Sequence, residues 1–182
     1  MKYSTYDNLG LVQIGPTTDY ALNTLREQVS RRFPRYRVET LEPIVEPAEA
    51  YDSFRDQYHS TRILVILEEL VQTAQVELLL GVAPLDLYVP GMNFVFGEAR
   101  CPGRVAVIST FRLRPQTRSN PELFGNRVTK EAVHEIGHML GLKHCPNPLC
   151  VMYFSERLAD TDRKQEDFCA ECDHSLKWLE VE

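Results

Sequence analysis

Apolar and polar residues alternate along two short segments near the start of the chain, residues 8–15 and 35–41. Alternation with a period of two is typical of strands that bury one face. An apolar stripe with approximate helical spacing lies between them, made of Tyr20, Leu22, Leu25 and Val29. Thr17 or Thr18 is placed to cap this helix. Strand, helix and strand in this order predict a right-handed crossover between two parallel strands.

Two further segments have the composition of buried strands. Val76 to Val82 is almost continuously apolar, and Arg104 to Thr110 is rich in β-branched residues, which favour strands. A parallel arrangement needs a crossover before the first of these segments. We therefore predict a helix from the Ser60-Thr61 dipeptide, which supplies its cap, to Thr73.

The segment from Asn93 to Glu98 is hydrophobic and is flanked by turn residues, which suits a strand at the edge of the sheet. Such an edge can pair with an extended peptide backbone. An ordinary hairpin arm is an equal alternative for the same segment.

A long helix is predicted to begin near Asn120-Pro121, because proline is favoured in a first helical turn. Together these elements predict an α/β fold: one compact domain over residues 1–182, with a mixed, mostly parallel sheet and an antiparallel edge strand. We divide it into a sheet-bearing part (1–118), the long helix with its continuation (119–144) and a cysteine-rich C-terminal part (145–182).

Composition narrows the class of partners. The 182 residues are 43% hydrophobic and 25% charged, as in an ordinary soluble domain, and the net charge of -6 argues against nucleic-acid binding. The apolar runs are too short to span a bilayer. Because the first residues have no hydrophobic signal region, we expect a cytoplasmic protein without a membrane partner. In that reducing compartment, cysteines bind metal more often than they form disulfides.

The residues most informative about chemistry are His134, Glu135, His138, Gly141 and His144, which form the pattern H-E-x-x-H-x-x-G-x-x-H. The first two histidines are four positions apart, so on a helix both rings reach one Zn²⁺ from the same face. The glutamate beside them is placed to accept a proton from water rather than to bind the metal. Three histidines leave a fourth coordination position open, which is typical of a catalytic zinc site.

Gly141 explains how the third histidine joins the other two. Six more residues of helix would carry His144 about 9 Å along the axis from His138, too far to share an ion. Glycine adopts a left-handed conformation at almost no steric cost, so it can end the helix and turn the chain back. The spacing therefore predicts a helix, a glycine stop and the return of His144.

Two pairs of cysteines follow, Cys145 with Cys150 and Cys169 with Cys172. The C-x-x-C spacing of the second pair favours metal chelation, and four thiolates make a closed tetrahedral site without room for water. We predict a structural zinc on these four residues that fastens the C-terminal helix, near residues 173–179, beneath the active site. Disulfides, or His174 in place of one cysteine, are the alternatives.

The complete pattern resembles the signature of the metzincin zinc peptidases, which place a methionine turn beneath the metal; Met152 fits that role. The third histidine is followed by C-x4-C-x-M and later by C-x-x-C. This order resembles the archaemetzincin (archaelysin) family. The resemblance implies a compact metzincin-like fold with two Zn²⁺ per chain. It also implies a catalytic zinc on the three histidines, Glu135 as general base and a structural zinc on the four cysteines.

Our hypothesis is a zinc peptidase that acts on peptide or protein substrates. The main alternative is a zinc-dependent peptide-binding or scaffold domain with little hydrolytic activity, although a pure binder has no need of Glu135. A zinc hydrolase acting on non-peptide amides is a third reading. Roles for Tyr153, His59 and His174 stay open, as do the natural substrate, the mode of cleavage and the oligomeric state.

Overall fold

The structure is a computed structural model that describes residues 7–16, 19–115 and 120–179. Thr17 and Thr18, and the boundary predicted between residues 118 and 119, lie outside these ranges. In chain order the elements are β1 (Asp7–Gln13), α1 (Asp19–Arg32), β2 (Tyr36–Thr40), β3 (Tyr51–Asp52), β4 (Gln57–His59), α2 (Ser60–Thr73), β5 (Leu78–Ala83), β6 (Leu87–Tyr88), β7 (Gly97–Ala99), β8 (Val105–Ser109), α3 (Pro121–Met139), α4 (Leu158–Arg163) and α5 (Ala170–Leu179).

The main sheet has the strand order β2-β1-β5-β8-β7. The first four strands are parallel, with Leu9 opposite Leu78 and Leu79 opposite Val105, whereas β7 is antiparallel to β8. The mixed, mostly parallel sheet with an antiparallel edge strand is therefore confirmed. A small second sheet, with the order β3-β4-β6, lies beside it.

Helices cover both faces of the main sheet, and the period-two alternation of its strands supplies both cores. Leu78, Leu80 and Val82 of β5 face one core, which contains residues of α1 and α3. Leu79 and Ala83 of the same strand face a second core, which contains α2. Because β5 is buried on both faces, it is apolar at nearly every position, as central parallel strands are.

The edge strand is shorter than the predicted segment from Asn93 to Glu98. Val95 instead pairs with the small sheet, where its N–H donates to the Leu87 carbonyl at 2.8 Å. The Arg55 guanidinium donates hydrogen bonds to the carbonyls of Met92 and Asn93. The backbone of residues 92–95 is thus committed elsewhere, whereas the Phe96 carbonyl already accepts a hydrogen bond from the Ser109 N–H of β8 at 2.7 Å, and strand pairing continues from Gly97.

The cap of α2 also differs from the prediction. His59 occupies the N-cap position and makes no side-chain capping hydrogen bond. The hydroxyl groups of Ser60 and Thr61 are within the helix and hydrogen-bond the carboxylate of Glu98 on β7. A residue distant in sequence therefore binds the side chains in the first turn of this helix, which local sequence does not indicate. No helix in the described ranges has the length and apolar character needed to cross a membrane.

Candidate metal centres

Helix α3 carries the first half of the histidine motif and begins where the sequence predicts. The Asn120 side chain accepts a hydrogen bond from the Leu123 N–H at 2.9 Å, and Pro121 is the first helical residue. The helix then packs beside α1 on the same face of the sheet, so that its middle part is buried. His134 and Glu135 are each 4% exposed, which places both functional groups at the floor of the cleft described below rather than on an open surface.

The C-terminus of α3 turns as the sequence predicts. Gly141 has a φ of +97°, in the left-handed region that glycine favours. Its N–H donates to the His138 carbonyl at 2.9 Å, and the Leu142 N–H donates to the Gly137 carbonyl at 2.9 Å. This pair of hydrogen bonds is a Schellman motif, which ends the helix and reverses the chain.

The reversal brings His144 back to the two histidines of the helix. Its ring centroid lies 5.4 Å from that of His134 and 4.8 Å from that of His138. One ring nitrogen from each of the three lies within 4.8 Å of the others. The three imidazoles therefore converge on one point, as a shared metal ion requires.

Backbone hydrogen bonds orient the first two rings. The Nδ1 of His134 lies 2.8 Å from the Val151 carbonyl, and the Nδ1 of His138 lies 2.7 Å from the Leu142 carbonyl. A carbonyl only accepts, so each Nδ1 carries the proton and each Nε2 keeps a free lone pair. The two Nε2 atoms face each other at 3.1 Å. Two nitrogens bound to one tetrahedral zinc are about 3.3 Å apart, given bonds of about 2.0–2.1 Å, so the pair fits the ion.

Electrostatics keep the three histidines in the form that binds metal. Burial lowers the pKa of His134 well below its usual range, and it also lowers the pKa of His138 and of His144. The Lys164 ammonium adds to the lowering of all three pKa values. The imidazoles are therefore neutral at neutral pH, as metal ligands must be.

Glu135 is enclosed beside the histidines and against the edge strand. Burial raises its pKa well above the usual range, and the nearby Glu131 carboxylate raises it further. A methyl group placed on Gly97 would lie 2.5 Å from Glu135 Oε1, so the backbone of β7 lies directly against the carboxylate. A carboxylate in these surroundings is a stronger base than one in water.

Met152 packs against α3 at Gly137. It is fully buried, and a methyl group placed on Gly137 would be 2.6 Å from its sulfur. Met152 therefore packs against the same stretch of α3 that carries the two helical histidines. The following residue, Tyr153, lines a separate depression with Cys145 and Arg157, whereas Phe154 lines the cleft and contacts His144.

The four cysteines form a second group. Their sulfurs lie within 4.8 Å of one another, and those of Cys145 and Cys169 are 3.7 Å apart. Sulfurs bound to one tetrahedral zinc are about 3.8 Å apart, given bonds of about 2.3 Å, whereas a disulfide is about 2.05 Å long. The Cys169 N–H also donates to the Cys150 sulfur at 3.3 Å. Their arrangement therefore fits a shared metal ion and not a disulfide.

The pKa values of the cysteines shift in both directions. A backbone hydrogen bond from Cys172 lowers the pKa of Cys169 to about 7, which favours a thiolate near neutral pH. Burial raises the pKa of Cys145 and of Cys172. His174 and His59 belong to neither group of candidate ligands in the described ranges.

A cleft of about 430 Å³ opens above the histidines. Its apolar lining includes Val89, Met92, Phe94, Phe96 and Phe154. The charged side chains that line the cleft are all acidic: Glu98, Glu131 and Glu135. Sequence reasoning did not single out Glu131, although its position four residues before Glu135 places both carboxylates on one helix face. It did not identify Gly97 either. The only signal for this residue in the sequence was its position directly before Glu98 in the predicted edge segment.

Comparison with known proteins agrees with this geometry. The model of peptidase family M54 matches residues 34–178. An archaemetzincin of Archaeoglobus fulgidus is 50% identical over 130 residues, covering 71% of this chain and 75% of its own. One of Pyrococcus furiosus is 36% identical over 178 residues, covering 94% and 93%.

Solved structures agree as well. The crystal structure of an archaemetzincin from Methanopyrus kandleri superposes with a TM-score of 0.90 at 37% identity, covering 99% of this chain and 98% of that one. A zinc-dependent peptidase from Methanocorpusculum labreanum gives a TM-score of 0.84 at 29% identity, covering 92% and 99%. These matches favour a hydrolase over a scaffold domain. The chain belongs to peptidase family M54, the archaemetzincins, and is a zinc metallopeptidase.

Proposed function

We propose that His134, His138 and His144 hold the catalytic zinc and that Glu135 is the general base of peptide-bond hydrolysis. The observation that carries the proposal is the orientation of the two helical imidazoles, whose proton-free Nε2 atoms face each other at 3.1 Å. Two acceptor nitrogens repel each other at this distance, so the arrangement is favourable only when a cation lies between them. When bound there, a zinc ion supplies Lewis-acid chemistry, which polarises the scissile carbonyl and makes water more acidic.

Glu135 moves the proton. Its carboxylate lies in the cleft and is largely shielded from bulk water, so it removes a proton from the attacking water and later delivers it to the leaving amine. Burial and Glu131 both raise its pKa, which brings its basicity closer to that needed for this transfer. The Nδ1 hydrogen bonds to Val151 and Leu142 keep the ligand rings in place during the reaction.

The edge strand is our candidate for binding the substrate backbone. Among the described strands, β7 pairs only with β8, and its three residues line the cleft. An extended peptide that adds to the free side of β7 would place its backbone above the histidines. This arrangement favours peptides over small amides, which cannot form a strand.

We further propose a second, structural zinc on Cys145, Cys150, Cys169 and Cys172. These residues link the turn after His144 to the start of α5, so the ion would hold the C-terminal part against α3. Four cysteine ligands leave no open position for water, which excludes catalysis at this centre. Free thiols held at ligand spacing also suit the reducing, cytoplasmic setting that we propose for the protein.

Glu135→Ala is the direct test of the mechanism. We expect the variant to keep two zinc ions per chain, measured by elemental analysis, and to lose cleavage of a diverse peptide library followed by mass spectrometry. Glu135→Asp should retain a small fraction of the rate because it keeps a carboxylate at a longer distance. Turnover by Glu135→Ala at the wild-type rate would overturn the role of Glu135, and one zinc in the wild type would overturn the second centre.

A further inference from the structure

The edge strand β7 packs against two helices, α2 and α3, and successive residues of the strand face different helices. Gly97 faces α3 and meets the Glu135 carboxylate. The side chain of the next residue, Glu98, accepts a hydrogen bond from the Thr61 hydroxyl of α2 at 2.8 Å. This short strand therefore connects the first turn of α2 to the acidic residue of the active site.

The contact between Gly97 and Glu135 is closer than any side chain permits. A Cβ atom built on Gly97 would lie 2.5 Å from Oε1 and 2.8 Å from both Cγ and Cδ of Glu135. Carbon atoms in contact ordinarily stay about 3.5–4.0 Å apart. Glycine at this position thus allows the strand backbone to lie against the length of the glutamate side chain.

The strand is held so that it cannot easily move away from Glu135. Glu98 is bound to the hydroxyls of Ser60 and Thr61, and Arg100 pairs with Glu68 of α2 at 2.7 Å. On its other side, β7 is hydrogen-bonded to β8. A side chain added at Gly97 would therefore displace the Glu135 carboxylate more readily than the strand.

We propose that Gly97 is a positioning residue for Glu135. Its backbone forms one wall of the carboxylate's site and restricts the side chain to the orientation that faces the histidines. The catalytic consequence of this contact rests on the proposed role of Glu135 as general base, whereas the contact itself does not.

Stability measurements test the contact without reference to activity. In the zinc-loaded wild type, Gly97→Ala should lower the thermal midpoint by roughly 3–10 °C, because the added methyl group overlaps Glu135. In the Glu135→Ala background the space is vacant, and the same substitution should change the midpoint by less than about 2 °C. Equal shifts in the two backgrounds would overturn the proposal.

Gly81→Ala is the matched control. Gly81 is also a strand glycine, but an added methyl group there would meet Ile14 and Leu67 in the core, at 2.8 and 3.0 Å. Its destabilisation should be the same in the wild-type and Glu135→Ala backgrounds. A dependence on Glu135 equal to that of Gly97→Ala would show that the coupling reflects general loss of stability, and would also overturn the proposal.

Kinetics then test the consequence. We expect Gly97→Ala to keep its zinc content and a KM within about twofold of wild type, while kcat falls roughly 10- to 100-fold through misplacement of the base. A raised KM with unchanged kcat would instead make Gly97 a substrate contact and overturn the positioning role. If Glu135→Ala retained turnover, the proposed function would fail while the stability coupling could still stand, so the two failures are distinguishable.

Discussion

Lys164 and Glu131 form a buried ion pair beneath the active site, and breaking it should be one of the most damaging single changes to this protein. The Lys164 side chain is 0% exposed and that of Glu131 is 3% exposed. Lys164 Nζ lies 3.0 Å from Glu131 Oε1, at an angle outside hydrogen-bonding geometry, so the attraction is Coulombic. The Thr161 hydroxyl donates to the same oxygen at 2.9 Å. The pair joins α3, one turn before Glu135, to the segment that follows α4.

The magnitude follows from the distance and the burial. At about 3 Å and an effective dielectric constant of about 20, two unit charges attract by about 5–6 kcal/mol. Removing both charges from water cancels much of that gain, so the pair as a whole contributes little. Removing one partner leaves the other buried and uncompensated, at a cost of about 3–5 kcal/mol. For a chain of this size, that corresponds to a fall in the thermal midpoint of roughly 6–20 °C.

Urea unfolding of the zinc-loaded protein is the assay. Lys164→Met preserves most of the side-chain volume and removes the charge. The loss of unfolding free energy therefore measures the effect of leaving the Glu131 carboxylate buried without a counter-charge, and not the effect of a cavity. The double variant Lys164→Met with Glu131→Gln removes both charges and keeps an acceptor for Thr161. We expect it to recover to within about 1 kcal/mol of wild type, since replacing a buried pair as a unit is often neutral.

An exposed pair gives the matched control. Lys177 and Asp173 of α5 are in contact at 2.7 Å with side chains 71% and 50% exposed, and Lys177→Met should cost less than about 1 kcal/mol. Two results would refute the reasoning. One is a loss of unfolding free energy in Lys164→Met as small as that in Lys177→Met. The other is a double variant, Lys164→Met with Glu131→Gln, that is as unstable as Lys164→Met alone.

Two other predictions concern the histidine site. Gly141→Ala forces alanine to a φ of +97°, so the turn should open and His144 should move away from the other two histidines. Zinc titration should then show weaker binding at the histidine site with the cysteine site intact, and unchanged affinity would contradict this. The second concerns pH. In the metal-free Glu135→Gln variant, which removes the opposing effect of the raised Glu135 pKa, stability should fall on acidification below about pH 6.5, because burial lowers the folded-state pKa values of the three histidines and the unfolded chain then binds more protons. Unfolding free energies measured between about pH 8 and pH 5 that do not fall would contradict it.

The parts of the site that depend only on residues adjacent in sequence can be predicted from the sequence. The start of α3 needs only Asn120 and Pro121, and its end needs only Gly141, so both were predictable from the chain. The return of His144 follows from that turn, since it needs no distant partner. The alternating segments likewise became strands at the predicted places, but β1 is buried on both faces rather than one, with Leu9 and Leu11 in one core and Val12 in the other.

Other features depend on residues that are far apart in sequence. The hydroxyl groups in the first turn of α2 donate to Glu98, thirty-eight positions away from Ser60, which no capping rule indicates. The edge strand begins only at Gly97, because the small sheet engages Val95 first. Lys164 looks like an ordinary surface residue until its pairing with Glu131 is seen. Each depends on the packed arrangement of elements, which the pattern of one segment does not specify.

Helix α3 gathers these distant contacts into one site. One face carries His134 and His138, whose ring nitrogens converge with that of His144, and Glu135 meets the edge strand. Gly137 contacts Met152, and Glu131 meets Lys164, both from the C-terminal part. Since each contact comes from a different region of the chain, the helix has its functional arrangement only when the sheet and the C-terminal part are both folded. Under the proposed function, the C-terminal cysteines support catalysis without approaching the substrate, because a shared zinc ion would hold the C-terminal part, with Met152 and Lys164, against α3.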